Sequence, residues 1–428
     1  MASKIDLTEL SFLIYGLGLT GKSVVNFFKK NNIKNFQVWD EKNKVLFKTK
    51  RALNLNKTFK NVDYIILSPG ISLKKAKYKE QLIKYKKKII TDLDLLYLSQ
   101  KFHKSIVVTG TNGKSTTCKV LQHILKKKNY NPLLGGNIGT PILNLKIKKN
   151  NFLVIEASSF QLEYSKFICP DFSLLLNITN DHLDWHGNMK NYINSKLKIF
   201  QNQRKDQYSL VNSKFKKKFK QNKFKGKLII PSLKNYLFFK PKIKNEYLAS
   251  DINDENMAFV LSLSKLLKIS NKNFLNSLKT FKGLPHRYEI FLKQKNCIFI
   301  NDSKATTFQA VKYALKNTKN IYWIVGGQPK KNDKIQLKDL KKNIIKSYLI
   351  GKSINFFKKQ IQQDVKYFVA RNLENSIIQI MKDIRLLNKK NNSILLSPAS
   401  ASFDQFLNFE DRGNKFKKLS IKYARKYI

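Results

Sequence analysis

A chain of 428 residues is too long for one ordinary hydrophobic core and suits two or three domains. Its formal charge is +55, from 83 Lys and Arg against 28 Asp and Glu, a balance that usually invites a nucleic-acid or anionic-membrane partner. The excess is mostly Lys, spread along the whole chain beside abundant Asn, Ile and Phe, as compositional bias in an A+T-rich genome produces, so neither nucleic acid nor membrane is expected as a partner. The densest stretch, Lys214 to Lys227, interleaves Phe215, Phe219 and Phe224 with lysines. That order imitates a single-strand stacking platform, but it reads as a solvated basic connection. Cys118, Cys169 and Cys297 follow neither metal nor disulfide spacing and read as small hydrophobes in a reducing compartment. The first apolar run, Phe12 to Tyr15, is too short for a signal peptide, and no run reaches the length of a membrane span. A soluble, cytoplasmic protein is expected.

Strand and helix patterns alternate almost throughout, which predicts an α/β protein with parallel sheets. The strand Ser11 to Tyr15 leads into Gly16, Gly18 and Gly21 in GxGxxG spacing and then a helix carrying Val24, Val25, Phe27 and Phe28. A second strand, Phe36 to Trp39, ends at Asp40, the distance at which an acid meets a ribose in a dinucleotide fold. Taken alone, this unit reads as a Rossmann oxidoreductase. Residues 106 to 117, IVVTGTNGKSTT, overrule it: a β-branched strand runs into a Gly-rich loop that opens a helix bearing Val120, Leu121, Ile124 and Leu125. Backbone N–H groups of such a loop and the helix N-terminus cradle phosphates, Lys114 adds charge at the outer phosphates, and Ser115 offers an oxygen to Mg²⁺. Val108 stands where the usual phosphate loop begins with Gly, so the form here is the compact GTNGKST.

Further along, the strand Phe152 to Ile155 delivers Glu156, and the strand Phe172 to Leu176 leads to Asn177 and His182. Both ends fall where a hard cation would want oxygen-rich ligands beside a nucleotide. In the helix after His186, Met189, Tyr192, Ile193, Ile199 and Phe200 form an apolar stripe, and Lys196 fills its missing i+7 position. A lysine facing inward there carries a depressed pKa or a modified amine, because an unpaired buried ammonium is costly. After Gly283-Leu-Pro-His-Arg287, strands at 297–300, 321–325 and 394–396 each end in a polar loop, NDSKAT, GGQPKKND and SPASAS. Ligands of open α/β sheets sit at such carboxyl ends.

GTNGKST, GGNIGTP (135–141), EASSFQLE (156–163), NITNDHLDWHG (177–187), GLPHRYE (283–289), NDSKAT (301–306) and SPASASFDQFLNFEDRG (397–413) together resemble the Mur ligase family, in its order and across the whole chain. The C-terminal segment and GLGLTGKS near the start are most similar to the branch that adds D-glutamate to UDP-N-acetylmuramoyl-L-alanine with ATP. The resemblance implies three domains: a Rossmann-like unit over 1–92 that holds the UDP part, a central P-loop ATPase-type unit over 93–283, and a Rossmann-like amino-acid unit over 284–428. It places Gly18, Leu19, Thr20, Asp40 and Ser68 at the uridine diphosphate, and Asn137 and Ser158 near the muramoyl-alanine part. Gly110, Thr111, Asn112, Gly113, Lys114, Ser115 and Thr116 would form the ATP loop. Two Mg²⁺ sites are implied, with Ser115, Glu156, His182 and a carbamylated Lys196 as ligands, and Lys114, Glu156, His182 and Lys196 as the catalytic group. Asn256, His286, Arg287, Asp302 and Lys304 match positions around ATP and substrate, and Thr306, Lys330, Ser402, Phe403 and Phe409 match the D-glutamate pocket. A monomer is expected.

Some positions depart from the family's pattern. Trp185 stands where a polar residue is common, Thr307 follows NDSKAT where Asn is frequent, and GGQPKKND offers Lys331 beside the preferred Lys330. Rival readings are a sister ligase for L-alanine, a diamino acid or folate, a Rossmann oxidoreductase, and a basic nucleic-acid-binding ATPase.

Overall fold

The computed structural model describes residues 5–41, 52, 54–245, 247–330, 333–387 and 390–427. The chain divides into two compact units, residues 1–281 and 282–428. The first holds two sheets. β1 (Phe12–Tyr15), β2 (Phe36–Trp39), β3 (Tyr64–Leu67) and β4 (Ile89–Ile90) form a parallel sheet in the order β2-β1-β3-β4. β5 (Lys104–Thr109), β6 (Pro132–Gly136), β7 (Phe152–Glu156), β8 (Phe172–Leu175), β9 (Tyr208–Val211) and β10 (Lys227–Ile229) form a second parallel sheet in the order β10-β9-β8-β5-β7-β6. Their central members are continuous Val, Ile, Leu and Phe runs buried on both faces, as strands covered by helices on each side must be. One apolar cluster, from Phe12 and Val24 through Ile142 and Leu153 to Phe200, joins the two sheets into a single body.

The second unit is one sheet: β11 (Glu289–Gln294), β12 (Cys297–Asn301), β13 (Ile321–Gly326), β14 (Ile344–Ile350), β15 (Tyr367–Arg371) and β16 (Asn392–Leu396), in the order β11-β12-β16-β13-β14-β15. It is parallel except at β11, which pairs antiparallel with β12. The expected Rossmann-like pattern thus gains a hairpin edge. Only two residues, Lys295 and Asn296, separate the paired strands, a connection too short for a parallel crossover.

The basic stretch after Ser213 is not a bare connection. It forms the helix Lys216–Gln221 and leads into β10, with Phe219 buried against Phe200 and Phe224 at ring separations of 5.1 and 5.2 Å. Its aromatic rings therefore belong to the core while the lysines face out. Among the described residues, no helix is long and apolar enough to cross a membrane.

The glycine loop of the first sheet depends on a close approach. A Cβ on Gly21, in the helix Leu19–Lys30, would lie 1.9 Å from the Gly16 carbonyl oxygen, so helix and strand meet only because the side chain is absent. Gly21→Ala should lower unfolding free energy by about 3 kcal/mol in urea titration; an unchanged midpoint would mean that the loop can move aside.

Candidate active site

β5 is central in the second sheet, flanked by β7 and β8, so the loops at all three carboxyl ends meet. The loop after β5 carries Gly110 to Gly113. Gly113 is left-handed, with φ +82, and a Cβ there would lie 1.9 Å from Asn256 Oδ1. Asn256, on the helix Asp254–Leu266, therefore packs directly on the phosphate loop, and its buried Oδ1 has no hydrogen-bond partner. The loop after β8 braces the opposite side. Thr111 N–H donates to the Asn177 carbonyl at 2.8 Å, and Asn112 N–H donates to Asn177 Oδ1 at 2.9 Å. Thr111 Oγ1 meets Tyr192 OH at 3.0 Å. Ser115 and Thr116 are buried in the first turn of the helix Lys114–Lys127.

Lys114 Nζ donates to the carbonyls of Gly110 and Thr111 at 2.9 Å each. Lys196 Nζ donates to the same Gly110 carbonyl at 2.8 Å and lies 4.7 Å from the centre of the Tyr192 ring. The inward position read from the helical stripe is what is found: Lys196 is 1% exposed. Burial, and then the charge of Lys114, push its pKa well below the usual lysine range, with Asp181 and Glu156 pulling weakly the other way.

Glu156 ends β7 and is 2% exposed. Asn137 Nδ2 donates to its Oε1 at 2.8 Å, and its Oε2 is buried with no partner. A buried carboxylate oxygen left over, near enough to act on the low-pKa Lys196, is the kind of donor that suits a hard divalent cation. Among the described residues, no group of three His, Cys, Asp or Glu side chains clusters as a ready-made metal site. Hydroxyl, amine-derived and phosphate oxygens would have to complete one.

His182 is left-handed, φ +55, and more exposed than Glu156, with its ring 4.8 Å from Phe160 and Asp181 at 3.5 Å. Trp185, the departure from pattern, packs on Phe160 and His186 at 4.9 and 4.5 Å. Ser158 caps the helix Ser159–Tyr164 in a capping box with Gln161, whose amide in turn donates to buried Asp92 at 3.3 Å. In the first sheet, Asp40 accepts from Leu17 N–H at 2.5 Å and Ser68 Oγ donates to the Gly16 carbonyl at 2.8 Å. Both side chains thus shape the glycine loop itself. Leu19 stands 81% exposed at the helix tip, with Thr20 half-buried behind it.

The second unit gathers His286, Arg287, Asp302, Lys304 and Phe409. Asp302 is buried, accepts from Ser397 Oγ at 2.7 Å and from Tyr288 N–H at 3.1 Å, and its pKa is pushed up to about 7 by burial. Arg287 lies near enough to favour its ionised form, and Arg287 Nε is buried without a partner. Lys304 Nζ sits 4.8 Å over the Phe409 ring. Thr307, the second departure, caps the helix Phe308–Asn317, next to half-buried Thr306. Gln328 pairs with Ala401 by two 2.9 Å bonds, which sets the loop bearing exposed Lys330 beside buried Ser402. Lys331 and Asn332 lie outside the described residues. Phe403 is 71% exposed, and the N–H groups of Gln405 and Phe406 are taken up by the Ser402 carbonyl.

Three residues hold these loops in a role the sequence did not show: Asn177, Tyr192 through its hydroxyl, and Arg412. The Arg412 guanidinium is 1% exposed and donates to Ser303 Oγ and to the Ser303 and Ser400 carbonyls at 2.8 to 3.0 Å. Its place in FEDRG was the available signal.

A family model described as the Mur ligase middle domain matches residues 108–265, and one described as the MurD-like N-terminal domain of Mur ligases matches residues 11–90. The chain belongs to the Mur ligase family, and so is an enzyme of the ligase class. A protein of Rickettsia felis named UDP-N-acetylmuramoylalanine–D-glutamate ligase is 35% identical, over 97% of this chain and 98% of its own. Proteins with the same name from Buchnera aphidicola subsp. Schizaphis graminum and from the Wolbachia of Brugia malayi are 37% and 34% identical, over 95% of this chain and 97% and 95% of theirs. Among solved structures, UDP-N-acetylmuramate-alanine ligase MurC from Thermotoga maritima superposes with a TM-score of 0.59 at 17% identity, over 97% of this chain and all of its own. MurF from the same organism, in complex with ADP, gives 0.56 at 15%, over 99% and 100%. At those identities the likeness is one of fold.

His186, buried and bonded through Nε2 to Ser159 Oγ at 3.0 Å, has its pKa pushed down to about 4, chiefly by burial. The unfolded chain, with histidine near 6.5, binds that proton more readily, so this site's stability is complete above pH 6.5 and is lost as pH falls toward about 4. His186→Gln should flatten the acid limb of a stability–pH curve in that window; an unaltered limb would assign the loss to carboxylates alone.

Proposed function

We propose that this chain joins D-glutamate to UDP-N-acetylmuramoyl-L-alanine at the cost of ATP, releasing ADP and phosphate, in the building of peptidoglycan precursors. The observation that carries the chemistry is the convergence of Lys114 and Lys196 on one loop carbonyl beside a buried carboxylate with a free oxygen. The specificity rests on the names of the relatives that match nearly end to end. Residues 1–92, 93–283 and 284–428 are assigned to the UDP-sugar, ATP and amino-acid partners in turn.

In this reading the phosphate loop, Gly110 to Thr116, binds ATP, with Lys114 leaving its resting carbonyls for the β- and γ-phosphates. Ser115, Glu156, His182 and Lys196 as its carbamate would hold Mg²⁺, which when bound supplies positive charge against the phosphate oxygens. The depressed pKa of Lys196 favours the neutral amine, the form that adds to CO₂, giving a carbamate and a proton. The alanyl carboxylate attacks the γ-phosphorus in line, ADP leaves, and an acyl phosphate results. The free amine of D-glutamate attacks the acyl carbon, phosphate departs from the tetrahedral intermediate, and the amine's proton is released. Lys330, Thr306 and the 402–409 segment are assigned to the amino acid, with Arg287, Asp302 and Lys304 at the nucleotide.

Phosphate release should be measured with ATP, Mg²⁺ and UDP-N-acetylmuramoyl-L-alanine, comparing D-glutamate with L-glutamate, L-alanine and meso-diaminopimelate. Turnover with D-glutamate alone is expected. Turnover with another amino acid keeps the chemistry and moves the specificity; none with any of them removes the reading. Lys196→Ala should lose at least about a thousandfold in kcat and regain part of it with added short carboxylic acids. Full activity of that variant would remove the carbamate role.

A further inference from the structure

In the second unit, His286 occupies a left-handed backbone position, φ +61, with its ring pressed on the helix Phe409–Tyr427. A Cβ on Gly413 of that helix would lie 2.2 Å from His286 Nδ1. Nδ1 also lies 2.9 Å from Asn301 Nδ2. Which of the two donates follows from the other contacts of Asn301. Its Nδ2 end faces Glu289 Oε2 at 3.2 Å and the Gly413 carbonyl at 3.4 Å, while its Oδ1 accepts from Ser303 N–H at 3.2 Å. Turning the amide over would set oxygen against a carboxylate and a carbonyl, and an NH₂ group against an N–H. The orientation is therefore fixed by partners whose roles cannot change. Glu289 is itself held, since its Oε1 accepts from Lys417 Nζ at 2.6 Å and its Oε2 from His286 N–H at 3.0 Å.

An amide NH₂ can only donate, so Nδ1 must be bare, and the one proton of a neutral ring must sit on Nε2. A second proton would put N–H against NH₂. We propose that Asn301 and Glu289 are positioning residues that lock His286 as a neutral imidazole, whose Nε2–H is offered to an oxygen of the ligand bound by this unit. That oxygen belongs to a nucleotide phosphate or to an amino-acid carboxylate. Only the ligand's identity rests on the ligase reading; the tautomer stands on the contacts. The charged groups around the ring are Glu289 on β11 and Glu410 and Lys417 on the helix. The two glutamates favour a cation, but burial acts first and Lys417 acts with it, so the ring's pKa lies below its ordinary value.

The test is nitrogen-15 NMR on the full chain with labelled histidine, the His286 signals among the five histidines being assigned by their loss in His286→Gln. Wild type should show a bare Nδ1 and a protonated Nε2 at neutral pH. Asn301→Asp replaces the donor by an acceptor, so the proton should move to Nδ1 and the ring's pKa should rise. Should that variant fail to fold, Glu289→Gln, which removes the one charged partner of the Asn301 amide and leaves only the Gly413 carbonyl and Ser303 N–H to hold it, should weaken the lock and admit the other tautomer. A wild-type proton on Nδ1, a ring charged at neutral pH, or variants with the wild-type spectrum would overturn the lock. In turnover, Asn301→Asp should raise one KM roughly tenfold, that for ATP if the oxygen is phosphate or that for the amino acid if it is carboxylate. Unchanged values for both overturn the ligand contact while leaving the ligase reading intact. A wild type without turnover on any amino acid removes the ligase reading and leaves the tautomer test standing.

Discussion

Two lysine nitrogens share one backbone oxygen, the carbonyl of Gly110, and the rest of the first unit is arranged around that crowding. Two ammonium groups on one acceptor repel each other, and in a buried setting water does little to screen them. The conflict is eased when Lys196, the more enclosed of the two, stays neutral. Lys114 then keeps the charge at the loop after β5. Lys196 comes from the apolar stripe of its helix, where it is 1% exposed and its amine lies against the Tyr192 ring.

A second constraint is steric. The phosphate loop is pressed between Asn256 on one side and Asn177 on the other, and neither contact tolerates extra volume. The loop is thus held in shape before any ligand arrives, with Gly113 as the residue whose missing side chain makes room. The second unit solves the corresponding problem with one buried cation. Arg412 links the loops after β12 and β16 through backbone oxygens, so their relative position is set by a rigid guanidinium rather than by loop stiffness. Both units gather their candidate site residues largely at strand carboxyl ends and fix the loops there with hydrogen bonds to backbone.

What could be read from the sequence was whatever a local period or a motif carries. Lys196 was legible because it interrupts an apolar helical stripe, and Glu156 because it ends a run of buried β residues; both are as enclosed as that pattern demands. The phosphate loop was legible from its strand, glycines and helix. The antiparallel edge β11 was not, because its residues alternate weakly and lie half-exposed, a pattern shared by many loops. Nor were the contacts of Asn256 with Gly113 or of Arg412 with Ser303, since each joins segments far apart in the chain and leaves no period behind. Asp40 and Ser68 were read as ligand contacts, and here they bond the glycine loop. An acid and a hydroxyl at strand ends serve backbone and ligand equally well, and spacing alone does not separate the two uses.

The chain's basicity sharpens one further step. With 28 acidic residues against 83 basic ones, a carboxylate on the surface is rare, so a buried one stands out. Asp92, Asp94, Glu156, Asp302 and Asp383 are the buried acids among the described residues. Asp94 is satisfied by the N–H groups of Thr91, Lys166 and Phe167 and ties the segment after the first sheet to the second. Asp383 takes Lys346, Tyr348 and Gln379 and holds the outer part of the second unit's sheet. Those two are structural, because every oxygen is matched. Asp92 has both oxygens 3.3 Å from the Gln161 amide, Asp302 has one oxygen on Ser397 Oγ and the other on Tyr288 N–H, and Glu156 has one oxygen with no partner. The burial of Asp92 and Asp302 raises both pKa values, to about 6 and about 7, which a folded protein tolerates where partial protonation or a cation relieves the cost. Of these five acids Glu156 alone keeps a buried oxygen with no partner, and that, rather than acidity or burial, sets it apart from those that hold the fold.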